Sequence, residues 1–166
     1  IEPAVLEKMK ELGLWGSTSP NEYGGAGLGN VELSLVLEEI NRACASTGVT
    51  LSVHNSLVTG PLKKFGSPAQ KKAWLPRLAS GEIIGAYCLT EPNAGSDAAA
   101  LRTNARVDGD AWVLDGTKIW VTNGGIAGVY IVYARTDPKV SKAKGISAFL
   151  VPRETKGLSV GKHEKK

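Results

Sequence analysis

The feature that most constrains the fold is a change in the spacing of apolar residues near Ile83. Before this point apolar residues recur at helical spacing, and after it they alternate as in β-strands. Turn-forming residues also become frequent in the second half. The sequence therefore predicts an all-helical domain over residues 1–82 and a β domain over residues 83–166.

The helical half contains a segment whose apolar residues lie on one face of a helix. They are Leu33, Val36, Leu37, Ile40 and Cys44. Asn30 precedes them and is predicted to be the N-cap. A shorter helix is predicted over Pro3–Leu12, whereas Val49–Val58 fits either a strand or a helix.

A further helix is predicted to begin at Ser67. Pro68 suits the first helical position, and Gln70 completes a capping box with the serine. Pro76 is expected to interrupt this helix, and Gly81 is expected to end it.

The β half is predicted to contain short strands with no helices between them. These are Ile83–Thr90, Ala111–Leu114, Thr117–Thr122, Val129–Arg135, Ile146–Pro152 and Leu158–Val160. Asp108-Gly109 and Asp115-Gly116 are typical hairpin turns. Together these patterns predict an antiparallel β-barrel or sandwich.

Composition argues against several classes of function. The formal net charge is +4, but the basic residues are not interleaved with stacking aromatics, which disfavours nucleic-acid binding. No apolar run approaches the length of a membrane span, and Ile1-Glu2-Pro3 does not resemble a signal peptide. Cys44 and Cys88 are expected to be buried, reduced thiols, so neither a disulfide nor a metal site is predicted. The absent initiator methionine suggests a piece of a longer protein.

Two polar segments are candidates for a binding site. The loop Thr90–Asp97 carries two hydroxyls, two carboxylates, an amide and a glycine directly after a predicted strand. In the second segment, a strand would place Trp120 and Thr122 on the same face, offering an aromatic ring beside a hydroxyl. By composition alone, an ordinary polar turn and a core tryptophan explain these segments at least as well. The glycine-rich stretch 24–29 lacks the third glycine of a dinucleotide fingerprint, which favours a simple loop.

The two segments resemble motifs of the acyl-CoA dehydrogenase family. Leu89–Asp97 is similar to one family motif, and Trp120–Asn123 is similar to its second flavin-contacting segment. Residues 14–29 and 37–40 resemble the family's N-terminal helical domain. Asn93 departs from the glycine that the family often has there, but asparagine also accepts unusual backbone angles.

The resemblance implies an FAD enzyme that converts acyl-CoA to trans-2-enoyl-CoA in fatty acid β-oxidation and passes electrons to an electron-transferring flavoprotein. Ser96 would also contact the acyl-CoA substrate. The residues implied to contact FAD are Tyr87, Leu89, Thr90, Gly95, Ser96, Trp120, Val121 and Thr122.

The resemblance also implies that the catalytic base is not in this chain. In the family this base is a glutamate of a C-terminal helical domain, which is expected to follow Lys166. Glu91, His54 and His163 are therefore not assigned to catalysis. The full-length protein is expected to be a homotetramer in the bacterial cytoplasm or the mitochondrial matrix. The alternatives are an acyl-CoA oxidase and a non-catalytic binding module, and the acyl chain length is left open.

Overall fold

The computed structural model describes residues 1–140 and 142–162, so the prediction for His163 lies outside the described residues. The first half is helical, as expected. Its elements are α1 (Pro3–Glu11), α2 (Asn30–Ala43), α3 (Ala45–Ser52), a π-helical segment (Val53–Thr59), α4 (Gly60–Phe65) and α5 (Pro68–Ala79). The segment Val49–Val58, which the sequence left open, is therefore helical throughout.

The start of α2 differs from the prediction by one residue. Gly29 has extended backbone, and its carbonyl oxygen accepts the first helical hydrogen bond from the Leu33 N–H at 3.1 Å. Gly29 is therefore the N-cap, and Asn30 is the first residue of the helix.

The capping box at the start of α5 is confirmed, because Ser67 and Gln70 exchange backbone and side-chain hydrogen bonds of 2.8 and 3.2 Å. The interruption expected at Pro76 is wrong, since α5 continues to Ala79. Leu75 and Leu78 on either side of the proline are fully buried, and their packing offsets the one hydrogen bond that proline cannot make. Gly81 follows the helix with a left-handed φ of 69°, as expected for a helix end.

The described part of the second half contains five strands, β1 (Gly85–Cys88), β2 (Asn104–Asp108), β3 (Ala111–Asp115), β4 (Val129–Arg135) and β5 (Ile146–Pro152). The predictions for β4 and β5 are confirmed at both ends, whereas β1 is shorter than expected. β2 was not predicted from the sequence. Only Ala105 of this strand is buried, so its residues show little apolar alternation. Thr117–Thr122 and Leu158–Val160 are not strands, and Asp115-Gly116 is consequently not a hairpin turn.

The sheet is mixed, so the prediction of an antiparallel barrel or sandwich is wrong in this respect. β4 pairs in parallel with β1 along Gly85–Cys88 and antiparallel with β5. β2 joins β4 in parallel at a single residue pair, and β3 forms an antiparallel hairpin with β2. Parallel pairing requires a long crossover, and residues 89–128 between β1 and β4 provide it without a long helix.

The helices and the sheet share a hydrophobic core. One cluster joins Val58, Leu62, Leu75 and Leu78 of the helices to Val129 and Ile131 of β4. Burial of these side chains stabilises the contact between helices and sheet. The core therefore fixes the position of β1 and of the loop that follows it.

His54 connects the helices to the start of β1. It is fully buried in the π-helical segment; its Nε2 donates to the Leu78 carbonyl oxygen at 3.2 Å, and its Nδ1 accepts from the Gly85 N–H at 3.2 Å. Its ring also lies edge-on to Trp15, with centroids 5.1 Å apart. These contacts require a neutral ring with the proton on Nε2. His54 thus joins the helices to β1 through its packing and hydrogen bonds.

The two cysteines differ in environment. Cys88 is buried and burial raises the pKa of its thiol to about 12, but Cys44 is exposed, which contradicts the expected burial. Cys44 ends α2 with extended backbone at the surface, although its spacing matches the buried face of that helix. No helix in residues 1–140 and 142–162 has the length and apolar character needed to cross a bilayer.

Candidate functional site

The structure brings the two candidate segments into direct contact. The loop after β1 and the segment before Thr122 are joined by a backbone hydrogen bond of 2.9 Å from the Ile119 N–H to the Thr90 carbonyl oxygen. Lys118 adds a second link, because its Nζ donates to the Leu89 carbonyl oxygen at 3.1 Å. Residues far apart in sequence therefore form one continuous surface.

The backbone around Trp120 has a different conformation from the predicted strand. Trp120 has a φ of 56°, which is rare for an aromatic residue, and Asn123 has a φ of 68°. A left-handed residue ends any regular alternation, so the argument that Trp120 and Thr122 share a strand face is wrong. The Trp120 side chain is instead 65% exposed, while Thr122 is half-buried.

Asn123 holds this irregular segment against the rest of the protein. Its Nδ2 donates to the Thr50 carbonyl oxygen of α3 and to the Gly85 carbonyl oxygen of β1, both at 3.1 Å. One side chain thus joins a helix, a strand and the Trp120 segment. Backbone strain of this kind persists only where surrounding contacts over-determine it, and Asn123 provides two such contacts.

The loop after β1 is built on a tight turn. Glu91 and Ala94 exchange backbone hydrogen bonds of 3.0 and 3.1 Å, and both residues are buried. Gly95 and Ser96 follow on the exposed side. A Cβ built on Gly95 meets no other atom within 4 Å, so this part of the loop leaves open space for a ligand.

The site offers hydrogen-bond donors that the protein itself does not use. Within residues 1–140 and 142–162, the hydroxyls of Thr90, Ser96 and Thr122 form no hydrogen bond. A flavin presents ring carbonyls, ring nitrogens and phosphates, which need short donors and an aromatic or apolar surface for the ring. Three available hydroxyls on the two joined segments, together with the exposed Trp120 side chain, fit those requirements.

The remaining predicted contact residues lie nearby but are partly engaged within the protein. Tyr87 in β1 is half-buried, and its ring lies 5.1 Å from that of Tyr133. Burial, together with the nearby Tyr133 hydroxyl, raises the pKa of Tyr87 to about 12, so its hydroxyl stays protonated and able to donate. Leu89 is half-buried, and Val121 packs against the apolar cluster around Cys88.

Glu91 is embedded among donors. Its carboxylate accepts from the Arg102 N–H at 2.6 Å, from the Thr103 N–H at 2.9 Å, from the Thr103 hydroxyl at 2.5 Å and from Lys118 Nζ at 2.7 Å. Burial alone would raise its pKa, but the hydrogen bonds led by that from Lys118 lower it to about 2. A carboxylate so stabilised is a poor proton acceptor near neutral pH.

Sequence reasoning missed three residues that shape the site. Lys118 and Asn123 have been described, and Arg153 is the third. Its guanidinium donates to the Gly124 and Gly125 carbonyl oxygens at 3.2 and 3.1 Å and to the Tyr130 hydroxyl at 2.8 Å. Lys118 lies beside the Trp120–Asn123 motif and Asn123 is its last residue, but neither was assigned a role, and Arg153 is remote and has no sequence signal.

These features define a class of protein in which helices pack on a mixed sheet and two joined loops offer a surface for a flat, polar ligand. The family models identify it further. The model described as "Acyl-CoA dehydrogenase, N-terminal domain" matches residues 1–82, and the one described as "Acyl-CoA dehydrogenase, middle domain" matches residues 86–166. The chain belongs to the acyl-CoA dehydrogenase family.

Known proteins agree with this assignment. The chain is 52% identical to the mitochondrial short-chain specific acyl-CoA dehydrogenase of Bos taurus over 98% of its length, which is 39% of that protein. The butyryl-CoA dehydrogenase structure from Megasphaera elsdenii gives a TM-score of 0.89 at 38% identity, covering 99% of this chain and 44% of that one.

An acyl-CoA dehydrogenase from Bacillus anthracis, solved in complex with FAD, gives a TM-score of 0.87 at 41% identity. The match covers 98% of this chain and 28% of that one. The chain spans about two fifths of the length of the curated relatives it matches.

Proposed function

We propose that this chain binds FAD and, as part of a longer protein, serves α,β-dehydrogenation of an acyl-CoA thioester. The observation that carries the proposal is the Ile119 to Thr90 backbone hydrogen bond, which joins the two segments that resemble the family's flavin contacts. The FAD complex of the Bacillus anthracis relative supports the choice of cofactor.

Each proposed contact residue has a role that follows from its environment. The Thr90 and Thr122 hydroxyls donate to the polar edge of the ring, and Trp120 packs on its face. Tyr87, Leu89 and Val121 line the flavin-binding cradle that the two joined segments are proposed to form. Gly95 and Ser96 allow the backbone to approach the flavin closely. When bound, FAD supplies the two-electron acceptor that protein side chains lack.

The substrate is proposed to lie beside Ser96, whose exposed hydroxyl can donate to acyl-CoA as well as to the cofactor. The base is proposed to be a glutamate in a C-terminal helical domain of the full-length protein. The low pKa of Glu91 and its four hydrogen bonds support its exclusion from that role. The isolated 166 residues are therefore expected to turn over no acyl-CoA.

Further proposals follow from the family resemblance. Residues 1–82 and 83–166 form the N-terminal and middle domains, and the full-length protein is a homotetramer. It acts in the bacterial cytoplasm or the mitochondrial matrix, and its electrons pass to an electron-transferring flavoprotein.

The test is anaerobic reduction of the full-length protein, purified with FAD, by a short acyl-CoA such as butyryl-CoA. We expect the flavin absorbance to bleach on addition of substrate and to recover with an electron-transferring flavoprotein much faster than with oxygen. Rapid recovery with oxygen alone would identify an oxidase instead. A protein that forms no yellow complex with FAD would contradict the proposal and favour a non-catalytic module.

A matched variant locates the site. Thr122→Val keeps the shape of the side chain but removes the proposed donor, whereas Thr136→Val removes a hydroxyl that bonds Ser147 away from the cradle. We expect only the first variant to weaken FAD binding and slow the bleaching.

A further inference from the structure

The ion pair between Lys118 and Glu91 is a buried feature to which the proposed function gives no role. The Lys118 Nζ lies 2.7 Å from Glu91 Oε1, and the two side chains are 9% and 6% exposed. Burying two charges is costly unless further hydrogen bonds satisfy them. An exposed ion pair at a mobile surface would not hold neighbouring residues in place. The buried pair of Lys118 and Glu91 can hold them in place.

Both partners make the additional bonds that burial requires. Besides Lys118, Glu91 accepts hydrogen bonds from the Arg102 N–H, the Thr103 N–H and the Thr103 hydroxyl. Lys118 also donates to the Leu89 carbonyl oxygen at 3.1 Å. The pair therefore anchors the loop after β1 to the start of β2 and to the segment before Trp120.

Both residues of the pair lie next to residues proposed to contact the flavin. Glu91 directly follows Thr90, and Lys118 lies two residues before Trp120. The Ile119 to Thr90 backbone bond lies between the two links formed by Lys118. Three contacts over residues 89–91 and 118–119 thus form a clamp, and the clamp fixes the distance between the two surfaces proposed to hold the flavin.

We propose that Lys118 and Glu91 are positioning residues that set the spacing between Thr90 and the Trp120–Thr122 segment. The inference rests on the proposed function, because it assigns the clamp to the flavin site. Both side chains are buried, so we assign neither a contact with the reacting atoms. They act through the Thr90 hydroxyl and the Trp120 ring, whose separation determines how well the ring system fits.

The test is Lys118→Met in the full-length protein. Methionine keeps the apolar stem but removes both links, while Glu91 retains its bonds to Arg102 and Thr103, so the fold is expected to persist. We expect the FAD dissociation constant to rise about tenfold or more, which corresponds to the loss of a single good interaction. At saturating FAD, kcat with butyryl-CoA should fall while KM changes little, and the visible flavin spectrum should shift.

Two variants serve as controls. Lys118→Arg keeps the charge and should restore most of the affinity and the wild-type spectrum. Arg77→Met breaks an exposed pair with Glu82, also at 2.7 Å, and should leave both unchanged. A Lys118→Met protein with wild-type affinity and spectrum would overturn the inference, as would a loss of thermal stability with an unchanged spectrum.

A second variant decides the case if Lys118→Met does not fold. Glu91→Gln removes the charge of the pair but keeps an acceptor for Thr103. Weaker FAD binding by folded Glu91→Gln would support the clamp, and unchanged binding would overturn it. Failure of the wild-type protein to bind FAD would instead contradict the proposed function itself, so the two failures are distinguishable.

Discussion

The buried His54 predicts a specific loss of stability in mild acid. Burial lowers its pKa from 6.5 to about 4, outweighing the opposing effect of its backbone hydrogen bond to Leu78. Between these values the unfolded chain takes up a proton that the folded chain does not. The contribution of His54 to the free energy of unfolding is therefore fully present above pH 6.5 and is lost as the pH drops toward 4.

The size of the effect follows from the same values. Each pH unit between the folded and unfolded pKa corresponds to about 1.4 kcal/mol, so His54 contributes a loss of roughly 3 kcal/mol by pH 4. Protonation of Nδ1 would also remove the acceptor for the Gly85 N–H at the start of β1. We therefore expect β1 to be among the first elements to lose protection.

The assay compares the full-length protein with His54→Gln by urea unfolding at several pH values from 4 to 7. Glutamine does not titrate, so the difference between the two proteins isolates the imidazole from the carboxylates that also titrate in acid. At pH 7 we expect the wild-type protein to have the larger free energy of unfolding. The difference from His54→Gln should be roughly 3 kcal/mol smaller at pH 4. A difference that stays constant with pH would refute the claim that His54 is held neutral.

Three further predictions concern stability. Asn123→Ala removes the side-chain donor to the Gly85 carbonyl oxygen and the second donor to the Thr50 carbonyl oxygen, which also accepts from the Val53 N–H. It should lower the free energy of unfolding by about 1–3 kcal/mol, which urea unfolding would measure. An unchanged midpoint of urea unfolding would contradict the role of Asn123 in holding the Trp120 segment against α3 and β1. Ser67→Ala removes the capping box of α5 and should cost about 1 kcal/mol, whereas Ser34→Ala, within α2, should cost less. Gly25→Ala would place a Cβ against the Ser19 carbonyl oxygen and should lower the melting temperature more than alanine at the open Gly95 does; equal melting temperatures would show that the Gly25 loop is not tightly packed.

Local patterns predicted the parts of the fold that local interactions determine. The capping box at Ser67 and the bounds of β4 and β5 depend on neighbouring residues and on alternation, so the sequence shows them directly. The mixed sheet depends on which strands meet after a long connection, and no local pattern encodes that choice. The continuity of α5 through Pro76 likewise depends on the core that Leu75 and Leu78 enter.

The candidate site shows the same division. The residue types of the Thr90 loop and of Trp120 mark the segments, but their arrangement depends on contacts distant in sequence. Trp120 takes a left-handed backbone conformation that a strand pattern excludes, and its neighbours are held by Thr90, Thr50 and Gly85. The sequence therefore marked the two segments that the structure joins, while their conformation required the structure.

The most direct test of the account is a structure of the full-length protein with FAD bound. We predict that the flavin ring packs on Trp120 and lies within hydrogen-bond distance of the Thr90 and Thr122 hydroxyls. A flavin bound elsewhere, with both hydroxyls exposed to solvent, would contradict the assignment of the two joined loops as the cofactor site.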